Sequence, residues 1–383
     1  MIDMNINSQN AKKIDSYIND YKSISDLNDH EKVRIQGKKV KLPVFRLPLN
    51  YLFYNAGNGR FAKEYLKLQK EQKHELDPLI QEHADLIQTM LLDQNPGKTD
   101  WLENNLRDEG QQEYGIITHD GYVINGNRRL SVLKSRLSGK GNDEHEYMKV
   151  ARLPKNIDEI DVIKIELEKQ MAREQKLDYG PINELLKIEH GIKSKLTTSQ
   201  IAATIGYTKE EIEEKMARLE LIRDYLDFIG EPDNFEAVDD INDHFIDLHD
   251  KIFSDKLLKQ KRFNSGELDK IKNIAFATMK AKVPSKALRK IPKMVTNPKI
   301  RDSFFGAAKV AKPSTAKETL EIFKVCETRL QAETDKGKPA KLLNSILATF
   351  DSVDFHHPEL KQEENKNMIK KIIEYMESLK KFS

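Results

Sequence analysis

Short apolar runs typical of strands alternate with helical periodicities in the first part of the chain. The runs at 114–118 and 122–124 predict two strands of a hairpin, and the run at 148–153 predicts a further short strand. The stretch 40–49 is also a strand candidate. Its two prolines remove ladder hydrogen bonds, so we expect an edge strand or an irregular strand there.

Helical spacing of apolar residues dominates elsewhere. Residues 61–92 are predicted to be largely helical, with Pro78 dividing them, and a short helix is predicted at 101–107. Residues 157–177 read as an amphipathic helix, and Pro181 is suited to the first turn of the next one. Helical periodicity then continues to the end of the chain.

This order predicts an α+β N-terminal domain, an all-α region with a helix-turn-helix, and a C-terminal helical region. In the final helix, Ile372 and Tyr375 could support self-association, but we expect that helix to dock against the body. The predicted regions are a helical lead-in at 1–38, a mixed α/β domain at 39–153, a helical domain at 154–230 and a helical C-terminal region at 231–383.

Composition restricts the class of protein and its compartment. Charged residues make up 33% of the 383 residues and aromatic residues 7%, which is typical of a helix-rich protein with much solvated surface. The single cysteine, Cys326, excludes a disulfide within the chain and a zinc site built on paired cysteines. The first residues lack the pattern of a signal peptide, and no apolar run reaches membrane-spanning length. We therefore expect a cytoplasmic protein without a membrane partner.

Charge is distributed unevenly along the chain. The formal net charge is only +2, yet residues 251–312 hold 17 Lys or Arg against 4 Asp or Glu. A basic block of this length is typical of a surface that binds a polyanion such as DNA. The alternative is a solvated helical face that the acidic part of the same protein balances. Candidate DNA contacts in the block are Lys261, Arg262, Arg289 and Lys290.

The segment 196–219 fits a helix-turn-helix. Thr198 or Ser199 is expected to cap its first helix, Gly206 to form the turn, and Thr208 to cap the second helix. In DNA readers of this type, the start of the second helix faces the major groove. The candidate DNA-contacting residues of the motif are Gln200, Tyr207, Thr208 and Lys209.

The second helix of this motif is acidic. Glu210, Glu211, Glu213 and Glu214 would repel phosphates if they faced a duplex. The alternative to DNA reading is a helix-turn-helix kept for packing or for contact with another protein.

The segment 120–134 predicts a strand, a glycine turn and a helix that opens with two arginines. Gly126 permits a sharp turn, and the helix start presents unpaired N–H groups to an anion. Arg128 and Arg129 add two guanidinium groups suited to phosphate. The alternative is a surface helix whose arginines are merely solvated.

This segment resembles the central motif of the ParB/sulfiredoxin superfamily, in which a DG run leads through G-x-R-R into a helix. Asn55 to Arg60 resemble the early Asn-x-x-x-x-Arg motif of the family, and residues 166–181 resemble its acidic and amide run before N-P. The helix-turn-helix follows in the expected place. The resemblance covers about residues 39–230 and implies a nucleotide-binding N-terminal domain.

The resemblance also implies a set of ligands and site residues. A nucleoside triphosphate, CTP or ATP, would be bound by the central motif and Arg60, with Mg²⁺ held through Glu168 and Gln170. In the ParB branch, the second position of the central motif is a glutamate linked to turnover. Here it is Asn127, so we expect nucleotide binding to survive better than hydrolysis. The predicted nucleotide-binding residues are Gly126, Asn127, Arg128, Arg129 and Arg60.

The function that the resemblance implies is a ParB-like DNA-binding protein. Nucleotide would gate a homodimeric clamp on DNA in plasmid or chromosome partition, or in regulation on a mobile element. One alternative is a ParB-fold nuclease or NTPase in DNA modification or phage defence, since a fold does not fix an activity. A second alternative is a regulator that contacts a protein partner through the acidic helix of the helix-turn-helix.

Overall fold

A computed structural model of the chain describes residues 7–21, 29–55, 62–72, 74–171, 180–254, 263–335 and 338–381. A mixed sheet lies in the N-terminal part and helices follow it, as the predicted α+β order requires. The strands of the sheet are β1 (His30–Ile35), β2 (Lys38–Pro48), β3 (Phe53–Tyr54), β4 (Gly115–Ile117), β5 (Tyr122–Asn125) and β6 (Tyr147–Arg152).

The helices fall into three groups along the chain. Those around the sheet are α1 (Ser8–Tyr21), α2 (Ala62–Gln72), α3 (Gln81–Asp93), α4 (Pro96–Glu109), α5 (Asn127–Val132, continued by a π turn at Leu133–Leu137) and α6 (Glu159–Met171). The middle group comprises α7 (Pro181–Lys193), α8 (Thr198–Ile205), α9 (Lys209–Ile229) and α10 (Asn242–Asp247). The C-terminal group comprises α11 (Ser265–Lys280), α12 (Ser285–Leu288), α13 (Ile291–Thr296), α14 (Pro298–Gly306), α15 (Ala316–Thr334), α16 (Pro339–Asp351) and α17 (Glu363–Lys380).

The six strands run in the order β1-β2-β6-β4-β5-β3. The pairs β1–β2, β2–β6 and β4–β5 are antiparallel, whereas β6–β4 and β5–β3 are parallel. The predicted hairpin of β4 and β5 and the predicted strand β6 are both present. Strands β3 and β5 are parallel neighbours, so their C-terminal ends lie at the same edge of the sheet. The turn that follows β5 therefore comes next to the end of β3.

The predicted helical lead-in at 1–38 is only partly helical, because it also contains β1. This strand carries just two apolar side chains on alternate positions, Val33 and Ile35, so its pattern is weak. The turn between β1 and β2 indicates the hairpin more clearly than the strand pattern does. Gln36 and Gly37 both have positive φ, 49° and 75°, the conformation of a two-residue type I′ hairpin turn.

Of the two alternatives expected for 40–49, an edge strand or an irregular strand, the edge strand was wrong, because β2 lies between β1 and β6. Its two prolines are nevertheless placed where the ladder tolerates them. Residues 38–43 pair with β1 and residues 44–48 pair with β6, so Pro43 lies where the partner changes. Pro48 is the last residue of the strand. A missing N–H at either position breaks no continuous ladder.

Buried apolar clusters cover both faces of the sheet. One face packs with α1, α3, α4 and the helix after β5, through residues such as Ile14, Ile87 and Leu130. The other face packs against α6, through Val162 and Ile165. The sheet is therefore a buried layer that holds its loops in fixed positions.

Two further clusters lie in the helical part. The first joins α6, α7, α8 and the start of α9, through residues such as Leu167, Ile188 and Ile201. The second contains the rest of α7 and α9 together with residues as far along the chain as Cys326. The predicted boundary between 230 and 231 therefore does not separate two cores, because α7 and α9 pack into the same cluster as the helices that follow.

A buried ion pair fixes the crossing of α6 and α7. The Lys187 Nζ atom lies 2.5 Å from the Glu166 Oε1 atom, and the two side chains are 0% and 1% exposed. Removing two charges from water is costly, and only their mutual attraction and hydrogen bonding offset that cost. The pair thus favours one relative placement of the sheet-covering helix and the helix-turn-helix region.

The last two helices are not docked. No residue among the described 338–381 is buried, so the expectation that the final helix docks against the body was wrong. The apolar side chains of α16 and α17 face solvent instead of the two helical cores. None of the described helices is long and apolar enough to cross a membrane.

Replacing Lys187 with Ala should destabilise the protein by about 3–5 kcal/mol, because the Glu166 carboxylate would stay buried without its cation. The measurement is the free energy of unfolding in urea. The matched control is Lys193→Ala on the same helix, where the i,i+4 pair of this exposed lysine with Glu189 contributes at most about 0.5 kcal/mol. Equal effects of the two substitutions would show that the buried pair is not a structural constraint.

Candidate nucleotide and DNA sites

The glycine turn after β5 has the geometry that its sequence predicts. Gly126 has φ 108° and ψ 14°, a left-handed conformation that favours glycine. Its carbonyl accepts the hydrogen bond from Leu130 N at 2.9 Å, and α5 begins at the next residue. The helix start therefore follows the strand within a single residue.

Packing also leaves little room for a side chain at this turn. A Cβ at position 126 would lie 2.7 Å from the Met148 Cε atom and 3.5 Å from the Gly115 Cα atom. Met148 of β6 thus lies directly against the turn. A ligand that used this backbone would have to approach from the side that Met148 leaves open.

Asn127 ties two strands together. Its Nδ2 group donates to Val123 O at 2.7 Å, and its Oδ1 atom accepts from Asn55 N at 3.1 Å. The side chain is buried, and Asn55 is the residue that follows β3. Both ends of this amide are therefore used inside the protein, where a glutamate could not donate to Val123 O.

Both arginines of the motif contact other side chains. Arg128 is 8% exposed, and its Nη2 group donates to Gln94 Oε1 at 2.8 Å. Arg129 donates through Nη2 to Glu113 Oε2 at 3.0 Å, with the Glu113 side chain 67% exposed. A phosphate at Arg129 would therefore compete with a largely solvated carboxylate. The interpretation that these arginines are merely solvated does not describe their positions.

The remaining predicted nucleotide and metal residues are Arg60, Glu168 and Gln170. Arg60 lies outside the described residues, and so does the side chain of Gln170. Glu168 is a half-buried side chain of α6. The described part of the chain has no group of three or more His, Cys, Asp or Glu that could hold a metal ion. The described protein ligands alone do not form a magnesium site at Glu168, and the magnesium site stays a prediction.

The structure places one further cation, Lys134, beside the end of β3, and the sequence interpretation missed it. Its Nζ group donates to Leu52 O at 2.8 Å and lies 5.2 Å from the centre of the Tyr54 ring. Burial lowers the pKa of Lys134 to about 8. Sequence spacing could have indicated this position, because Lys134 lies four residues after Leu130 and thus on the apolar face of the helix.

The helix-turn-helix is present as α8 and α9, with a capping box at the start of each helix. Thr197 caps α8, so the expected cap at Thr198 or Ser199 was wrong by one or two residues. Gln200 completes that box by accepting from Thr197 N at 2.9 Å. Thr208 caps α9 as predicted, and Gly206 forms the turn with φ 77°.

The predicted DNA-reading side chains of this motif already have protein contacts. The Tyr207 hydroxyl donates to Glu184 Oε1 at 2.6 Å, and the ring lies 4.8 Å from Lys215 Nζ, so the side chain faces α7. Burial, followed by the bond to Glu184, raises the pKa of Tyr207. Lys209 pairs with Glu213 at 3.2 Å on the surface.

Carboxylates dominate the exposed start of α9. Glu210, Glu211, Glu213 and Glu214 are all exposed, and Glu211 also takes part in the capping box. Their repulsion of phosphate applies to this face as the sequence suggested.

Part of the basic block is neutralised within the protein. The Arg289 Nε group donates to both oxygens of buried Asp247 at 2.9 Å, and Lys290 lies 2.5 Å from Glu327. Lys261 and Arg262 lie outside the described residues. Three other cations of the block also have carboxylate partners, namely Lys272, Arg301 and Lys299.

The other described cations of the block have no carboxylate partner among the described residues. Eight lysines are exposed and form no ion pair with a described residue, so their charge faces solvent. Four of them lie within fourteen residues, around the end of α11 and along α12 and α13. The eight are Lys251, Lys270, Lys280, Lys282, Lys286, Lys293, Lys309 and Lys312.

Comparisons with known proteins add little to this geometry. No protein-family model matches the chain, and no curated protein matches it. A solved structure that aligns with it is the C-terminally truncated chromosome-partitioning protein ParB from Caulobacter crescentus, complexed to the centromeric parS site. The alignment covers 65% of this chain and 98% of that one, at 12% identity and a TM-score of 0.34. A TM-score this low supports no conclusion about fold or function.

Replacing Asn127 with Ala should lower the free energy of unfolding by about 2–4 kcal/mol, because two hydrogen bonds disappear and the buried N–H of Asn55 loses its acceptor. Chemical denaturation measures this change. The control is Asn105→Ala, which removes only an exposed bond to Glu109 and should cost about 0.5 kcal/mol or less. If Asn127→Ala left the free energy of unfolding unchanged, the hydrogen bonds of Asn127 to Val123 and Asn55 would not be needed for stability.

Proposed function

We propose that the protein binds duplex DNA through the eight exposed lysines of its basic block, as a ParB-like protein of the kind that its central motif resembles. The supporting observation is the selective neutralisation of the block. Carboxylates of the same chain pair with five of its described cations and leave the eight lysines with their charge facing solvent. Partition of a plasmid or chromosome, or regulation on a mobile element, is the role that this resemblance implies.

A polyanion is the partner that such a surface fits best. Duplex DNA carries closely spaced phosphates, and each lysine that neutralises one releases a condensed counterion. Lys280, Lys282, Lys286 and Lys293 lie close together along the chain, so one duplex could contact several of them at once. The lysines provide affinity without reading sequence.

In this proposal the helix-turn-helix has a secondary role in binding. Its predicted contacts Gln200 and Thr208 are used in capping boxes, and Tyr207 faces α7. The exposed glutamates of α9 keep that helix away from phosphates. The motif then orients the DNA-binding region or contacts a protein partner, while the lysines hold the duplex.

The proposal includes a nucleoside triphosphate, CTP or ATP, at the turn after β5. The start of α5 offers N–H groups to a phosphate, and Arg129 can exchange the exposed Glu113 carboxylate for it. A bound magnesium ion would offset the charge of the phosphates. Asn127 positions β3 and β5 at this site through its two hydrogen bonds. Because a neutral amide cannot act as a general base, we do not expect Asn127 to support nucleotide hydrolysis.

Helix α2 provides a physical connection between the two sites. It follows Asn55 and residues 56–61 in sequence, and its side chains Ala62 and Leu66 pack against the helical core that includes α7 and α9. The connection includes polar contacts, because Lys63 N donates to Asn183 Oδ1 at 3.2 Å and Lys67 lies 2.6 Å from Glu236. A ligand that moved the segment after β3 would act on the helical region through α2.

The DNA proposal is tested by changing Lys280, Lys282, Lys286 and Lys293 together to Gln. We expect the affinity for a labelled duplex to fall. The slope of log affinity against log salt should also decrease by about 3–4, because each lost phosphate contact removes about 0.9. Fluorescence anisotropy across a salt series measures both quantities.

The control for this experiment changes net charge equally at a distance from the block. Lys12, Lys13, Lys38 and Lys39 are exposed on α1 and on the hairpin of β1 and β2, and their replacement by Gln should leave the salt slope unchanged. Equal losses in both variants would assign binding to net charge alone. Negligible affinity of the wild type at low salt would refute the proposal.

The nucleotide part is tested by thermal unfolding with CTP or ATP and Mg²⁺. At a ligand concentration about 100 times the dissociation constant, binding adds about 2.7 kcal/mol to the stability of the folded state. Arg129→Ala should abolish that gain. The control, Arg107→Ala, removes an i,i+4 pair between a half-exposed arginine and Glu103 and should keep the gain in stability. The absence of a shift with either nucleotide in the wild type would contradict this part alone.

A further inference from the structure

The hairpin of β1 and β2 carries four cations on one exposed face, which we call the cationic face. The register places Lys32 directly opposite Lys41, and Arg34 directly opposite Lys39. All four side chains are exposed, and none of them forms an ion pair with a described residue. Like charges directly opposite each other on neighbouring strands destabilise a hairpin. An acidic partner would relieve this repulsion.

The turn geometry brings these cations close together. A two-residue turn is closed by a pair of residues that exchange hydrogen bonds, here Ile35 and Lys38. Hydrogen-bonded and non-hydrogen-bonded pairs alternate from there, so both like-charge pairs are of the second kind, whose Cα atoms lie only about 4.5 Å apart. Pro43, which has no N–H, falls in the same kind of pair opposite His30, as this alternation requires.

The same geometry leaves the backbone of β1 open along its outer side. This strand ends the strand order of the sheet, and no described strand pairs with its far side. Residues of a non-hydrogen-bonded pair direct their N–H and C=O groups away from each other, so those of Lys32 and Arg34 point towards the open edge. The two residues thus offer cations and backbone hydrogen-bonding groups to the same neighbour.

The opposite face of the hairpin is fixed to α6. Val33 is buried against that helix, and Glu31 pairs with Lys169. Gln36 N in the turn donates to Asp161 Oδ2 at 2.8 Å. These two carboxylates are used on the side that packs on α6, so they do not neutralise the cationic face. A partner would therefore meet a preformed and positively charged edge.

We propose that β1 accepts an extended acidic segment of a partner protein as an additional strand. Acidic residues at every second position of that segment would lie on the cationic face beside Lys32 and Arg34, and the cations of β2 add to the positive potential there. A nucleic acid could meet these charges but could not bond to the open backbone groups as a ladder. The inference is independent of nucleotide binding and of the basic block.

Cations on an open edge also discourage unwanted pairing, because a strand that carries like charges is repelled. This repulsion and the proposed binding act in the same direction. A second copy of β1 is excluded by its own cations, whereas an acidic strand gains from them. Specificity of this kind needs a repulsive element as well as an attractive one.

The test measures binding of the full-length protein to a fluorescent ten-residue peptide in which Glu alternates with Val. Each exposed ion pair contributes a factor of about two to five to the affinity. Changing Lys32, Arg34, Lys39 and Lys41 together to Gln should therefore weaken binding at least about tenfold. This hairpin variant should fold, because the four side chains are exposed and their repulsion is removed. The control is the fourfold Gln variant of the basic block, which should bind the peptide as the wild type does.

A second peptide tests the addition of a strand. The same peptide N-methylated at every residue keeps its charges but has no backbone donors, so it should bind at least about tenfold more weakly. A wild type that does not bind the first peptide would overturn the inference, and so would equal effects of the hairpin variant and the control. Equal binding of the two peptides would overturn the strand addition. A hairpin variant that loses affinity for labelled duplex DNA, with no peptide binding by the wild type, would assign the cationic face to nucleic acid instead.

Discussion

The buried pair of Glu166 and Lys187 is the constraint on which the arrangement of the domains depends. Helix α6 packs one side against the sheet and another against the helix-turn-helix, while α7 joins the helix-turn-helix to the large helical core. Three apolar clusters thus meet at the crossing of two helices. Apolar contacts alone would tolerate sliding at such a crossing, whereas separating two buried charges is costly. Burial, followed by the charge of Lys187, lowers the pKa of nearby His190 to about 3.

A second constraint links the candidate nucleotide site to this crossing. Asn127 holds the end of β3 against β5, and the chain then continues through residues 56–61 into α2, which packs on the helical region. The same asparagine cannot serve as a base, and its two polar atoms are both used. An asparagine at this position therefore has a structural reason within this protein. These two hydrogen bonds hold the start of α5 in a fixed position relative to β3 and β5.

The sequence predicted the features that depend on neighbouring residues. The β4–β5 hairpin, the left-handed turn at Gly126 and the cap at Thr208 all follow from local chemistry and are present. Features that depend on distant residues could not be read in the same way. The pairing of Arg289 with Asp247 spans 42 positions, and nothing near Arg289 in sequence indicates it. The strand β1 was missed because its two apolar residues give too little periodicity.

The distribution of charge separates the surfaces of the protein by the partners that they can accept. Carboxylates neutralise part of the basic block and leave eight lysines exposed, so this surface attracts a polyanion and repels a second copy of itself. The described C-terminal helices combine an exposed apolar face with almost balanced charge, so their chemistry differs from that of the lysine surface.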